Sequence, residues 1–119
     1  MAKLVLEQFL TNQQCRAIRE LKTELKKSFD LYDIVLFGSV ARQEADRESD
    51  MDLLIIIREE ATHLVRNKIS DIVFEVNLKY DTNISIVVLE KTKWDNGVMH
   101  ITPFYKEIER DGVYINEYI

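Results

Sequence analysis

The segment with the clearest chemical potential is Phe37-Gly38-Ser39-Val40-Ala41-Arg42, which closes an apolar run. A glycine at the end of a strand lets the backbone approach a ligand with no side chain in the way. Ser39 adds a hydroxyl, and the amides at the start of a helical turn attract anions. Arg42, one turn further on, can bind the same anion with its two-pronged guanidinium. The segment is therefore a candidate phosphate site.

Two aspartates follow a short polar stretch. Asp50 and Asp52 stand two positions apart at the start of a second apolar run, so on a strand they emerge from one face roughly 6.5–7 Å apart. Carboxylates at that spacing can converge on a hard cation, and Mg²⁺ prefers oxygen ligands. Beside a phosphate site, the cation would bridge protein and triphosphate, which is the arrangement used for in-line phosphoryl or nucleotidyl displacement.

Each half of this pattern also has an ordinary explanation. An Asp-x-Asp sequence at the start of a strand is often a solvated loop boundary, and Gly-Ser after a strand is often only a turn. The combination is less common, because two carboxylates that open a buried strand cost stability unless a cation or hydrogen-bond donors offset their charge. The pairing of the two motifs therefore favours a functional site.

The strands that must position these residues follow from the hydrophobic pattern. We predict strands over residues 31–37, 50–57 and 83–89, with a short edge strand at 113–115. The second of them is apolar on both faces, which is typical of a strand covered from both sides.

Helices are predicted between the strands. Thr11 and Gln14 form a capping box for the first, whose apolar positions recur at helical spacing. A long helix is expected over about residues 60–80, and a last one runs from Thr102-Pro103 to Asp111, with Gly112 as its C-terminal stop. Short helical turns are predicted at 39–43 and 91–96. This order predicts an α/β (α+β) fold, a small mixed β-sheet flanked by helices.

Length and composition narrow the functional classes. The 119 residues predict a single domain over residues 1–119, and 46% hydrophobic content argues against disorder. A net charge of −5 argues against general nucleic-acid binding. One cysteine, no recognisable signal peptide and no apolar block near the ~20 residues of a membrane span predict a cytoplasmic protein away from membranes.

Gly38-Ser39, ten intervening residues and Asp50-Met51-Asp52 together resemble the signature of the DNA polymerase β-like nucleotidyltransferases. The small size and the residues that follow the Gly-Ser pair, Val40-Ala41-Arg42, resemble those of the minimal, stand-alone members of that superfamily, the MNT or MntA-like antitoxins. The segment from Pro103 to Tyr114 is similar to the ending of those short proteins. The resemblance spans roughly residues 30–116.

The resemblance implies roles for these residues. Gly38 and Ser39 would contact the triphosphate, and Asp50 and Asp52 would be the catalytic, metal-binding pair for Mg²⁺ or Mn²⁺. Arg42 and Arg47, near the carboxylates, are better candidates for phosphate contact than the lysines of the first helix. The expected activity is transfer of a nucleoside monophosphate, AMP from ATP, to a partner protein. Members of this kind are often encoded beside a helical HEPN protein and act as its antitoxin.

One departure from the family pattern concerns catalysis. Active members usually carry a third carboxylate on a later strand, facing the first two and acting on the incoming hydroxyl. At the matching position this sequence has Ser85, and the acids that flank the strand are Asp81 and Glu90. The alternative function is therefore a nucleotide-binding antitoxin that neutralises its partner by contact alone. Of the functions considered, modification of a small molecule is the least favoured. A homo-oligomer is also compatible with the sequence.

Other residues with chemical potential have simpler interpretations. His63 and His100 share no metal-ligand spacing with each other or with Cys15. Cys15 falls on the apolar stripe of the first helix, which favours core packing. The aromatic residues of the last third of the chain are read as core, with an interface for a partner as the alternative.

Overall fold

The structure, a computed structural model, describes residues 8–42 and 50–117. Helices and strands alternate through most of these residues. In chain order they are α1 (Asn12–Ser28), β1 (Leu31–Phe37), α2 (Gly38–Ala41), β2 (Met51–Ile57), α3 (His63–Tyr80), β3 (Ile84–Glu90), α4 (Lys91–Trp94), α5 (Gly97–His100), α6 (Pro103–Asp111) and β4 (Val113–Tyr114), followed by a 3-10 turn at Ile115–Glu117.

The four strands form one mixed sheet in the order β3-β2-β1-β4. β2 runs parallel to β3 and antiparallel to β1, and β4 is antiparallel to β1. The parallel pair is possible because all of α3 crosses over between its two strands. Residues 53–57 of β2 are fully buried, which confirms the prediction of a strand covered from both sides. The predicted fold class is confirmed.

The last strand is shorter than predicted. We expected it to include residue 115, but β4 ends at Tyr114 and Ile115 begins the 3-10 turn. Ile115 is fully buried, and the Asn116 backbone N–H donates to Asp33 Oδ1 at 3.2 Å. The Asn116 side chain also donates to the carbonyl oxygen of Tyr32 at 2.9 Å. These contacts hold the 3-10 turn against the first residues of β1, where the chain leaves the sheet.

The predicted capping box of α1 is present. The Gln14 backbone N–H donates to Thr11 Oγ1 at 3.1 Å, and the Thr11 N–H donates back to Gln14 Oε1 at 2.9 Å. The two bonds satisfy donors that the first turn of a helix leaves unpaired. One stripe of α1 packs into the core, as its spacing predicted: Cys15, Ile18, Leu21 and Leu25.

α3 begins a little later than the sequence suggested. Thr62 Oγ1 accepts from the Val65 N–H at 3.1 Å and so fixes His63 as the first helical residue. The helix ends at Asp81, which adopts a left-handed conformation with φ 54°. α3 packs beside α1 on one face of the sheet. No helix within residues 8–42 and 50–117 has the length and apolar character needed to cross a membrane.

Aromatic side chains attach α4 and α6 to the opposite face of the sheet. Phe37 on β1 meets Phe104 on α6 edge to face, with ring centroids 5.3 Å apart. Trp94 and Tyr105 lie 4.7 Å apart, and Trp94 is buried. These rings belong to the smaller of two apolar clusters. Trp94, Phe104, Tyr105 and Tyr114 therefore pack in the core as interpreted from the sequence, whereas Tyr118 lies outside the described residues.

α6 starts as predicted, with Thr102 Oγ1 accepting from the Tyr105 N–H and Pro103 in the first turn. It also stops at Gly112, although for a different reason from the usual left-handed glycine. Gly112 has φ −65°, a conformation open to other residues. A Cβ there would lie 2.5 Å from the Ile108 carbonyl oxygen and 2.9 Å from Val35 Cγ1. Glycine is needed because the helix end packs directly on β1.

Candidate active site

The centre of the site is the contact between the turn after β1 and the start of β2. Phe37 pairs with Asp52 across the antiparallel strands, which brings the next residue, Gly38, beside the Asp52 side chain. Gly38 has φ +77°, in the left-handed region. A Cβ on Gly38 would lie 2.3 Å from Asp52 Oδ2 and 3.2 Å from its Cγ. Only glycine leaves room for the carboxylate at this point.

Asp50 and Asp52 provide two carboxylates at the same end of β2. Asp50 is exposed and immediately precedes the strand, whereas Asp52 is half-buried within it. Burial raises the pKa of the Asp52 carboxyl, and the charges of Asp50 and Glu107 raise that pKa further. Arg42 acts in the opposite direction. Negative charge is therefore concentrated at this position, as expected of a site that receives a cation.

Arg42 reaches this region from the end of α2. Its backbone N–H donates to the Gly38 carbonyl at 3.2 Å, closing the single turn. Its Nη1 donates to Glu107 Oε1 on α6 at 3.2 Å, and both side chains are about one-third exposed. Glu107 could not be found from the sequence, because 65 positions separate it from Arg42 and no motif includes it. The packing of α6 on β1, through Phe104 on Phe37 and Gly112 on Val35, brings Glu107 to the site.

Ser85 occupies the position beside Asp52 on the neighbouring strand. The two residues pair in the parallel register of β2 and β3, and paired residues point to the same face of a sheet. Ser85 is exposed, so the face beside Asp52 is open here. The sequence had identified Ser85 as the residue at the place of a third acid, and the register agrees.

Neither flanking acid takes the place of that carboxylate. Glu90 pairs with Ile57, five positions beyond Asp52, which is roughly 16 Å along the strand. It is held there by Lys93 and by the backbone N–H of Ala61. Asp81 ends α3, three residues before β3 begins. Within residues 8–42 and 50–117, no three His, Cys, Asp or Glu side chains are grouped to hold a metal ion.

The structure therefore brings Gly38, Ser39, Arg42, Asp50 and Asp52 to one end of the sheet. Ser39 is half-buried in the turn that follows β1. Arg47, the remaining residue of the predicted site, lies outside the described residues. Because α2 has only four residues, its dipole is small, so the attraction for an anion depends more on Arg42 than we expected from the sequence.

Comparison with known protein families agrees with this geometry. The family model described as "Nucleotidyltransferase domain" matches residues 18–115, which includes every site residue named above. The chain belongs to the nucleotidyltransferase family. Its short sheet with flanking helices is the polymerase β-like fold of the minimal nucleotidyltransferases, and the chain is a nucleotidyltransferase enzyme.

Individual members of the family give more detail. A Methanocaldococcus jannaschii protein named "putative protein adenylyltransferase" is 38% identical over 95 residues, covering 80% of this chain and 87% of its own length. A toxin-antitoxin structure with AMP-PNP aligns with a TM-score of 0.56 at 18% identity, covering 87% of this chain and 72% of the other. A complex of a tri-AMPylated Shewanella oneidensis HEPN toxin with an MNT antitoxin aligns with a TM-score of 0.51 at 16% identity. The alignment covers 87% of this chain and 71% of the other.

The remaining candidates lie away from the nucleotidyltransferase site. Cys15 is buried in the larger apolar cluster, so the core-packing interpretation is confirmed. His100 stacks on Tyr105, with ring centroids 4.2 Å apart, and its Nε2 lies 3.1 Å from the Trp94 carbonyl oxygen. His63 is the first residue of α3 and is exposed.

Proposed function

We propose that this nucleotidyltransferase transfers AMP from ATP to a hydroxyl group of a protein, using a divalent cation bound by Asp50 and Asp52. The observation that carries the proposal is the position of the Asp52 carboxylate against Gly38, directly beside the candidate phosphate turn. Two comparisons support the choice of nucleotide and acceptor: the M. jannaschii relative is named for protein adenylylation, and a structural neighbour was solved with AMP-PNP.

The turn after β1 binds the triphosphate in this proposal. Gly38 gives the turn the left-handed conformation that places it against the Asp52 carboxylate, and Ser39 donates its hydroxyl to a phosphate. Arg42 exchanges its Glu107 partner for a phosphate oxygen, which its exposure makes accessible. We also assign a second positive charge at the triphosphate to Arg47, because it lies close to the two aspartates in the sequence.

The residues present fit a magnesium or manganese ion. Asp50 and Asp52 would supply carboxylate oxygens. Burial, and after it the charge of Asp50, raises the pKa of the Asp52 carboxyl, and a bound cation would offset both effects. With two protein carboxylates, the remaining ligands would come from the triphosphate and water. The bound ion would offset the negative charge of the triphosphate.

The reaction is a displacement at the α-phosphorus. A hydroxyl oxygen of the acceptor bonds to that phosphorus, the bond to the bridging oxygen breaks, and pyrophosphate leaves. The hydroxyl proton must go to a base. Ser85 beside Asp52 cannot serve as a carboxylate base, so we expect slow turnover unless the acceptor or water takes the proton.

The acceptor we propose is a helical HEPN protein, with the chain acting as its antitoxin. The support is the fold shared with the antitoxin that accompanies an AMPylated HEPN toxin.

The first experiment measures nucleotide binding. Thermal unfolding is followed with each of the four nucleoside triphosphates, with and without Mg²⁺, for the parent chain and the Asp50→Asn/Asp52→Asn variant. Ligand at 100 times its dissociation constant adds about 2.7 kcal/mol to the free energy of unfolding. We expect the largest melting shift with ATP and Mg²⁺, and none in the variant. An equal shift in the variant would place the nucleotide elsewhere.

The second experiment measures transfer. The chain is incubated with ATP labelled at the α-phosphorus and a HEPN protein from the same genome, and the label on that protein is counted. Ser85 favours the alternative in which the chain neutralises the HEPN protein by contact alone. Binding of that protein without labelling, together with an Mg²⁺-dependent ATP shift, would support the alternative.

A further inference from the structure

The outer face of α3 carries an apolar stripe that nothing in residues 8–42 and 50–117 covers. Leu64, Phe74 and Leu78 are 64%, 61% and 66% exposed, although they lie on a helix whose other side is buried against α1 and the sheet. Three large apolar side chains on one exposed helix face are uncommon on a small monomer.

The spacing of this stripe is that of a coiled-coil seam. Steps of three and four residues alternate along it, and its members are Leu64, Asn67, Asp71, Phe74 and Leu78. These are the a and d positions of a heptad repeat. The seam extends over most of the 18-residue helix, which is about 27 Å long.

Charged residues flank the seam on one side only. Lys68 and Glu75 each follow a d position by one residue and so occupy e positions, whereas the g positions are His63, Ser70 and Asn77. Within the described residues, no ion pair involves the side chains of Lys68, Asp71 or Glu75. Lys68 and Glu75 therefore stand beside the seam, and Asp71 stands within it, without ion-pair partners among the described residues.

This pattern is complementary to itself in one orientation. In an antiparallel pair of helices, e positions face e positions, so Lys68 of each copy meets Glu75 of the other. The a positions then pack against d positions, which places Leu64 on Phe74 and lets the Asn67 amide donate to the Asp71 carboxylate. A parallel pair would instead put Asp71 against Asp71 and leave Lys68 facing neutral residues.

We propose that α3 is the dimerisation surface of this chain and pairs antiparallel with α3 of a second copy. α3 covers one face of the sheet, whereas Asp52 lies on the face that α6 covers, so each copy keeps a separate catalytic site. One helix on each side buries little area, and interfaces of that size are weak. We therefore expect association in the range of about 10 µM to 1 mM.

Sedimentation velocity over that concentration range tests the proposal. The parent chain should show a concentration-dependent monomer–dimer equilibrium, and Phe74→Glu should remain monomeric. Ile101→Glu is the matched control, because Ile101 is also an apolar residue on the surface, 72% exposed, outside the seam. Circular dichroism checks that both variants are folded.

A charge exchange tests the orientation and remains decisive even if Phe74→Glu misfolds. Lys68→Glu and Glu75→Lys should each weaken the dimer by about tenfold, since either change creates two like-charge pairs across the two-fold axis. The double variant should recover the parent affinity to within about threefold, because both pairs are restored in reverse. Any of three results would overturn the proposal: a parent chain monomeric throughout, an effect of Ile101→Glu equal to that of Phe74→Glu, or no recovery in the double variant.

Discussion

Gly38 lies directly against the Asp52 side chain, and only glycine fits at position 38, since a Cβ there would lie 2.3 Å from Asp52 Oδ2. The glycine sits at φ +77° directly after β1, and the aspartate sits on β2 in register with the residue before it. This contact joins the candidate phosphate turn to the candidate metal ligand. It also makes the site sensitive to a single methyl group.

Gly38→Ala should eliminate the Mg²⁺-dependent melting shift with ATP, because the new Cβ displaces the Asp52 carboxylate. The variant should also lose stability, since a left-handed conformation costs a non-glycine residue about 1–2 kcal/mol. Gly97→Ala is the matched control, as nothing lies within 4 Å of a Cβ there. Urea unfolding and melting with ATP measure both effects. A normal ATP shift in Gly38→Ala would contradict the arrangement.

Asp52→Asn should abolish AMP transfer while raising the melting temperature of the metal-free protein slightly at pH 7. Burial and the neighbouring acids raise the pKa of the folded carboxyl above its unfolded value, so the ionised group is unfavourable in the folded state. The free energy of unfolding therefore falls as the pH rises from the pKa of Asp52 in the unfolded chain to its higher pKa in the folded protein. The neutral amide of the variant does not ionise and avoids this loss. Thermal unfolding of the parent and the variant in the presence of a chelator, between pH 4 and 8, measures this difference in stability. A variant less stable than the parent at pH 7 would contradict this account.

Glu107→Gln should lower the pKa of the Asp52 carboxyl. The negative charge of Glu107 raises that pKa, whereas Arg42 lowers it, and Arg42 remains in the variant. Carbon-13 NMR titration of the Asp52 carboxyl in the metal-free protein gives the value directly. Glu109→Gln, an exposed change on the same helix, is the control and should leave the titration unchanged. Equal shifts in the two variants would mean that Glu107 has no specific effect.

Ser85→Asp should increase the rate of AMP transfer. The register places residue 85 beside Asp52 on the same face, where a carboxylate can accept the proton of the acceptor hydroxyl. General base catalysis typically contributes about 10²–10⁴-fold, so we expect an increase of about tenfold or more. Single-turnover labelling of the HEPN acceptor measures it. Ser85→Asn has a similar shape without the charge and should not accelerate transfer.

Glu90→Gln provides the complementary test of the missing acid. Glu90 pairs with Ile57 at the far end of β2 and binds Lys93, so its removal should leave the transfer rate unchanged. The same labelling assay applies. A large loss of activity, with the fold intact, would mean that Glu90 acts in the reaction despite its position.

Local sequence signals were sufficient for most of the secondary structure. Two helix starts could be predicted from capping residues. Thr11, Gln14 and Thr102 form hydrogen bonds to backbone N–H groups within three residues, and the ring of Pro103 restricts its own backbone to a helical angle. β2 was predicted as a buried strand because residues 53–57 are apolar on both faces. Two errors fall at element ends, since Ile115 leaves the strand and Gly112 is required by packing on Val35 rather than by its own backbone angle. A third is the short helix α5 (Gly97–His100), which we did not predict.

The fold class and the family could be predicted from the sequence because they depend on short-range spacing and on motifs within a few residues. The same motifs led us to propose the site residues Gly38, Ser39, Arg42, Asp50 and Asp52. The tertiary structure alone decided which groups meet in space. It placed Glu107 on Arg42, Ser85 beside Asp52 and Glu90 far from both. Such contacts depend on strand order, register and helix packing, which are set by the burial of the whole chain and leave no mark on any one segment.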